Sequence, residues 1–121
     1  MAVNSYEDLI VWQKSMDLTE EIYRLVKLLP REETYALSDQ MRRAVVSIPS
    51  NIAEGQGRNS TRDFINFLSI SRGSLTELKT QLQICRRLKY FSESESEPAF
   101  NLCAEVYKML NALISELKQK F

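Results

Sequence analysis

The sequence predicts an all-α protein, an up-down-up-down antiparallel four-helix bundle. Three observations predict it. Apolar residues recur at steps of three and four along four separate stretches. Only 3 Gly and 3 Pro occur in 121 residues, too few for the many tight turns of a β-sandwich. No stretch sustains the alternation of a half-buried strand. A chain of this length sits at the modal size of one domain, so residues 1–121 are read as one unit. The helices are expected at about 6–29, 35–56, 60–90 and 98–120.

The first helix carries two apolar rows. One is Leu9, Trp12, Met16, Thr19, Tyr23, Val26, and the other is Val11, Leu18, Ile22, Leu25, Leu29. Pro30 ends it, and Arg31 to Thr34 makes a polar turn. The second helix runs through Leu37, Met41, Ala44, Val45 and Ile48 to Pro49, whose missing N–H and ring predict a kink or a break. Gly55 and Gly57 are expected to stop it through positive φ.

The third helix opens on Ser60 as N-cap, with Asp63 three residues on. Its main row is Phe64, Leu68, Ser71, Leu75, Leu78, Leu82, Cys85, and a second row holds Phe67, Ile70, Ile84, Leu88. Ser92 to Glu97 reads as an acidic turn, with Pro98 in the first turn of the fourth helix. That helix carries Cys103, Val106, Leu110, Leu113, Leu117 and a separate row, Phe100, Tyr107, Ile114, Phe121. One buried stripe per helix closes a lone bundle. The extra rows mark Phe67, Ile70, Gly73, Ile84, Leu88, Phe100, Tyr107 and Ile114 as a candidate oligomer interface, wide core faces being the alternative.

Composition excludes more chemistry than it suggests. Histidine is absent, which removes Ser-His and Cys-His catalysis and His-ligated metals. No nucleophile–base pair or metal set stands out, so the chain reads as a non-enzyme without cofactor or metal. An arginine-lined small-molecule site is the weakest alternative. No basic and apolar leader opens the chain, and apolar runs stay far below the roughly 20 residues of a membrane span. Cys85 and Cys103 are not a CxxC pair, so they read as reduced thiols in a cytoplasmic protein with no membrane partner. Their positions near the third turn could set them face to face.

Charge totals zero but is unevenly spread: net −4 over residues 1–39, +6 over 40–90 and −2 over 91–121. The central surplus makes Arg58, Arg62, Arg72, Arg86, Arg87 and Lys89 candidate nucleic-acid contacts, through phosphates alone. No aromatic is regularly interleaved with them, so base stacking is not indicated. Glycine in mid-helix at Gly73 predicts close approach of another backbone, within the bundle or from a second subunit. The stretch around Pro49 is the most unusual. There Ser47 and Asn51 are expected to bond carbonyls that the proline frees, and Glu54 to pair an arginine; a binding notch is the alternative.

Several of these motifs occur together in one family. Leu9 to Met16, Leu29-Pro30 through Leu37, and above all Gln40-Met41-Arg42-Arg43-Ala44 with Ser47-Ile48-Pro49-Ser50-Asn51-Ile52-Ala53-Glu54-Gly55 resemble the four-helix-bundle proteins encoded in intervening sequences of bacterial 23S ribosomal RNA genes. Arg58, Asp63-Phe64, Phe67-Leu68, Gly73-Ser74 and Glu77-Leu78 continue the resemblance to about residue 90, and the fourth helix follows by pattern. The accessory variability determinant of diversity-generating retroelements is related. The resemblance implies a barrel-like homopentamer without established activity. Through the retroelement relatives it also implies a reverse transcriptase and nucleic acid as partners. Those relatives are strongly basic and this chain is neutral. The reading that follows is an oligomeric scaffold or adaptor acting through protein or RNA partners, with a nucleic-acid-binding accessory protein as the alternative.

Overall fold

A computed structural model of the chain describes residues 5–121. Residues 1–4, where the segment read for a leader begins, lie outside the described residues. Four helices carry the fold: α1 (Ile10–Val26), α2 (Leu37–Gln56), α3 (Thr61–Arg87) and α4 (Glu93–Lys118). Single 3-10 turns at Tyr6–Asp8 and Arg31–Glu33 precede α1 and α2, and no strand occurs among the described residues. Each helix touches its chain neighbours, α4 returns to α1, and the two diagonals do not meet. That is a four-cornered bundle, closest packed along α2–α3.

Two helix starts differ from the sequence expectation. The first falls at Ile10 rather than near residue 6, because Leu9 is extended (φ −76°, ψ 123°) and Ser5 caps a separate short turn. Tyr6 then sits edge-on to Trp12, with ring centroids 5.2 Å apart. The second falls at Glu93 rather than Pro98. Ser92 and Glu95 form a reciprocal capping box, which starts the helix inside the segment read as a turn. Ser96 is completely buried there, and its hydroxyl donates back to the Ser92 carbonyl at 2.9 Å. Pro98 lies in the second turn, next to exposed residues, where water can reach the carbonyl that it leaves unpaired.

Helix ends also correct the reading. Of the kink or break expected at Pro49, the break does not occur: α2 is one helix through the proline, whose ring is buried. No glycine among the described residues has positive φ; Gly57 ends α2 in ordinary helical geometry (φ −80°, ψ −3°). The left-handed residue is Lys89, at φ 63°. Lys89 N–H donates to Arg86 O and Tyr90 N–H to Cys85 O, both at 3.0 Å, which is a Schellman ending for α3. A side chain in that conformation is strained, so Lys89→Gly is expected to stabilise the fold by about 0.5–1 kcal/mol, after subtracting glycine's extra unfolded-state entropy. Urea unfolding of the two proteins checks it; equal or lower stability of the glycine variant contradicts it.

The core takes Val11, Leu18, Ile22 and Leu25 from α1, Met41, Val45, Ile48 and Ile52 from α2, Leu68, Leu75, Leu78 and Leu82 from α3, and Val106 and Leu110 from α4. Of the two rows on α1, the second is therefore the core. Met16 and Tyr23 of the first row stand about 40% exposed. On α3, Ile65 is buried more deeply than Phe64.

Candidate functional site

The Pro49 segment lies on two faces of α2. Toward α3 it presents Ser47, Asn51 and Gly55. Ser47 Oγ and Ser74 Oγ are 2.8 Å apart, Asn51 Nδ2 donates to Ser47 O (2.8 Å) and Oγ (2.9 Å), and the buried Ser71 hydroxyl donates to Ile48 O at 2.9 Å. These bonds reach the carbonyls of Ser47 and Ile48, not that of Val45, the one Pro49 frees. The proline ring itself crowds that carbonyl. Gly55 completes the seam: a Cβ there would stand 2.7 Å from Phe67 Cβ and 3.0 Å from Phe64 Cδ1. This face of the segment is a small-residue packing seam, closed by α3. The other side of α2 lines a shallow groove against α1, about 330 Å³, with Trp12, Met16, Val46, Pro49 and Ala53.

The polar residues of the segment differ in burial, and mutation should separate them. Glu54 is exposed and pairs Arg58, just past the end of α2, at 3.1 Å, so it closes no buried network. Asn51→Ala is expected to cost about 1–2 kcal/mol, because Ser47 O and Oγ each lose a hydrogen bond in a partly buried seam, leaving Oγ only Ser74. Glu54→Ala should move stability by less than about 0.5 kcal/mol. Thermal melts of both variants check the contrast, and equal effects would contradict it.

Most candidate nucleic-acid arginines are engaged with the protein. Arg58 lies 4.9 Å from the Phe67 ring centroid and Arg62 5.2 Å from that of Phe121. Arg72 donates to Asn111 Oδ1 at 2.8 Å, tying α3 to α4. Arg86 stacks 3.7 Å over Phe100 and donates to Ser96 Oγ at 2.7 Å. In the signature, Arg42 reaches Thr34 O at 3.3 Å and Arg43 pairs Asp39 at 3.1 Å. Arg87 and Lys89 are exposed and form no ion pair among the described residues. The six candidates do not form one cationic patch; Arg58 and Arg62 stand at the opposite end of α3 from Arg86, Arg87 and Lys89.

The candidate interface divides in the same way. Ile70 (52% exposed), Ile84 (41%) and Leu88 (52%) share one outward stripe of α3. Gly73 lies on it too, with nothing within 4 Å of a Cβ position, so the close approach expected within the bundle is absent. Phe67 and Phe100 are half-buried under their arginines, and Ile114 belongs to the core at 3% exposure. The Phe100–Tyr107–Ile114–Phe121 row therefore does not form one surface. A strict seven-residue step drifts about 20° per repeat on a straight helix, enough to carry Ile114 inward.

Both thiols are free and buried, and they have different neighbours. Cys85 meets Met41 Sδ at 3.7 Å. Cys103 lies elsewhere along the α3–α4 contact, beside Leu75 and Lys79. Burial pushes the Cys85 thiol up to about 11, helped by Glu33, and the Cys103 thiol up to about 12, against the pull of Lys79. Neither is a thiolate nucleophile at neutral pH. Glu33 also accepts a 2.7 Å bond from the Tyr90 hydroxyl, which holds that phenol up at about 12. Among the described residues no three Cys, Asp or Glu side chains converge as a metal site, and no helix is long and apolar enough to cross a membrane.

The signature segment thus lines the α2–α3 seam on one side of α2 and the α1–α2 groove on the other. The profile of the 23S rRNA-intervening sequence protein family matches residues 7–112. The chain belongs to that family. Family membership thus extends through most of α4, past the point where sequence motifs ran out. Among solved structures the chain is similar to a crystal structure, at 1.70 Å, of a protein with unknown function from the S23 ribosomal protein family of Bacteroides thetaiotaomicron. The two are 31% identical with a TM-score of 0.79, over 86% of this chain and 97% of that one. No curated protein matches. The family description names no activity, and this neighbour is described as having unknown function.

Proposed function

We propose that this member of the 23S rRNA-intervening sequence protein family is a non-enzymatic scaffold that closes into a homo-oligomeric ring and acts through protein or RNA partners in the cytoplasm. One observation carries the reading: two apolar surfaces remain uncovered on different faces of the bundle. The first is the α3 stripe of Ile70, Ile84 and Leu88, and the second the α1–α2 groove with Met16 and Val46, each 39–52% exposed. Two unlike patches on one chain support a head-to-tail contact, and head-to-tail contacts that close make rings. The family resemblance supports five subunits, with a reverse transcriptase among the kinds of protein partner. Light scattering coupled to size exclusion tests assembly. About 70 kDa supports the pentamer, and a single species at the 14.0 kDa chain mass overturns the ring.

The nucleic-acid reading has weaker support, since four of the six candidate cations already stack on rings or hydrogen-bond within the bundle. Arg87 and Lys89 remain available, repeated around a ring. We therefore expect RNA binding that ignores sequence and falls steeply between about 50 and 200 mM salt. Arg87→Ala should lower the salt slope by at most about one unit. Fluorescence anisotropy with labelled single-stranded and duplex RNA measures it. No binding at 50 mM salt by the intact oligomer would leave the protein-adaptor reading alone.

A further inference from the structure

The α3–α4 seam is fastened at two places and left unsealed between them. At one end Arg72 holds Asn111; at the other Arg86 clasps Ser96 and covers Phe100. Between these clasps the facing residues are short, Thr76 on α3 and Cys103 and Ala104 on α4. They leave a groove of about 460 Å³ floored by Leu75 and Cys103. Its polar lining residues are two lysines, Lys79 and Lys108, with Tyr107 and Thr76, whose hydroxyl already donates to Arg72 O at 3.1 Å. Neither lysine has a carboxylate partner among the described residues.

We infer that this groove binds a small amphipathic carboxylate, its alkyl chain on Leu75, Cys103 and Ala104 and its carboxylate at the two lysines. Charge complementarity selects an anion: two cations border a mostly apolar recess, and no acidic side chain lines it. Length selects a small molecule over a docked helix. The lining residues span Leu75 to Lys79 and Cys103 to Lys108, little more than one turn of each helix, whereas a helix in a groove needs anchors over two turns. The inference is independent of assembly, because the groove lies on the α4 side of α3, away from the Ile70–Leu88 stripe.

Octanoate is the probe, titrated into the full chain and followed by amide chemical shifts. Saturable shifts at Thr76, Cys103 and Ala104, with Kd on the order of 1 mM, are expected. Ala104→Leu fills the recess at little cost to helix propensity and should abolish the shifts while the fold is retained. Lys79→Gln/Lys108→Gln should weaken binding at least fivefold, and octanol should bind the unchanged chain as weakly as octanoate binds that variant. Absence of saturable shifts overturns the inference, as does undiminished binding by Ala104→Leu. A change in oligomeric state in Ala104→Leu also overturns it, since the groove would then be a subunit contact.

Discussion

Gly55→Ala is expected to destabilise the protein by about 2–3 kcal/mol, although alanine is the better helix former by about 1 kcal/mol. The added methyl would lie 2.7 Å from Phe67 Cβ and 3.3 Å from the Phe64 carbonyl oxygen. Neither atom can swing aside on a flexible side chain, because both are fixed to the α3 backbone. Relief requires α2 and α3 to separate, and separation stretches the Ser47–Ser74 and Ser71–Ile48 bonds of the same seam. For a chain of this size the loss should appear as a melting point lower by roughly 6–12 °C. Gly57→Ala supplies the control. Its Cβ would meet only Glu54 O and Ala53 O, at 3.7 and 3.8 Å, and its φ is already helical. That variant should gain about 0.5–1 kcal/mol. Calorimetry of both decides the matter: equal effects would mean that the seam relaxes and that Gly55 is dispensable.

The two glycines show how far the sequence could be read. Apolar periodicity located four helices and most of the core because burial enforces the 3.6-residue repeat directly. Glycine's two uses, left-handed backbone and missing side chain, leave the same letter in a sequence. Their place at the end of an apolar run points Gly55 and Gly57 to the first use, whereas Gly55 serves the second, and the left-handed position belongs to Lys89. The acidic Ser92–Glu97 stretch misled in a related way. Its polarity suggested a turn, but Ser92 and Glu95 are the capping pair of a helix start, and burial of Ser96 is made tolerable by Arg86 and the Ser92 carbonyl. The rows competing for the core on α1 could not be ranked, since either row satisfies helical spacing; only the neighbours decide which one turns outward. The α3–α4 groove left no motif at all, because a recess made by Thr76, Cys103 and Ala104 exists only once the two helices are set side by side.

Ile84→Glu/Leu88→Glu is expected to reduce the proposed oligomer to single chains while leaving each bundle folded. Both side chains are about half exposed and one helical turn apart, so in an isolated chain the substitutions cost less than about 0.5 kcal/mol each. Inside a subunit contact the same two carboxylates would be buried without partners, at several kcal/mol per charge, more than an apolar stripe of this size returns. Met16→Glu/Val46→Glu should act in the same way from the α1–α2 groove. The mixture of the two variants carries the stronger test. If stripe docks into groove, one variant retains an intact groove and the other an intact stripe, so equimolar mixing should yield a dimer of about 28 kDa and nothing larger, because each outer face is blocked. If instead the stripe pairs with its own copy, the groove variant alone remains associated and mixing yields no new species. Circular dichroism confirms the fold of each variant and light scattering counts the subunits. Oligomers that survive the Ile84/Leu88 change would remove the α3 stripe from the interface.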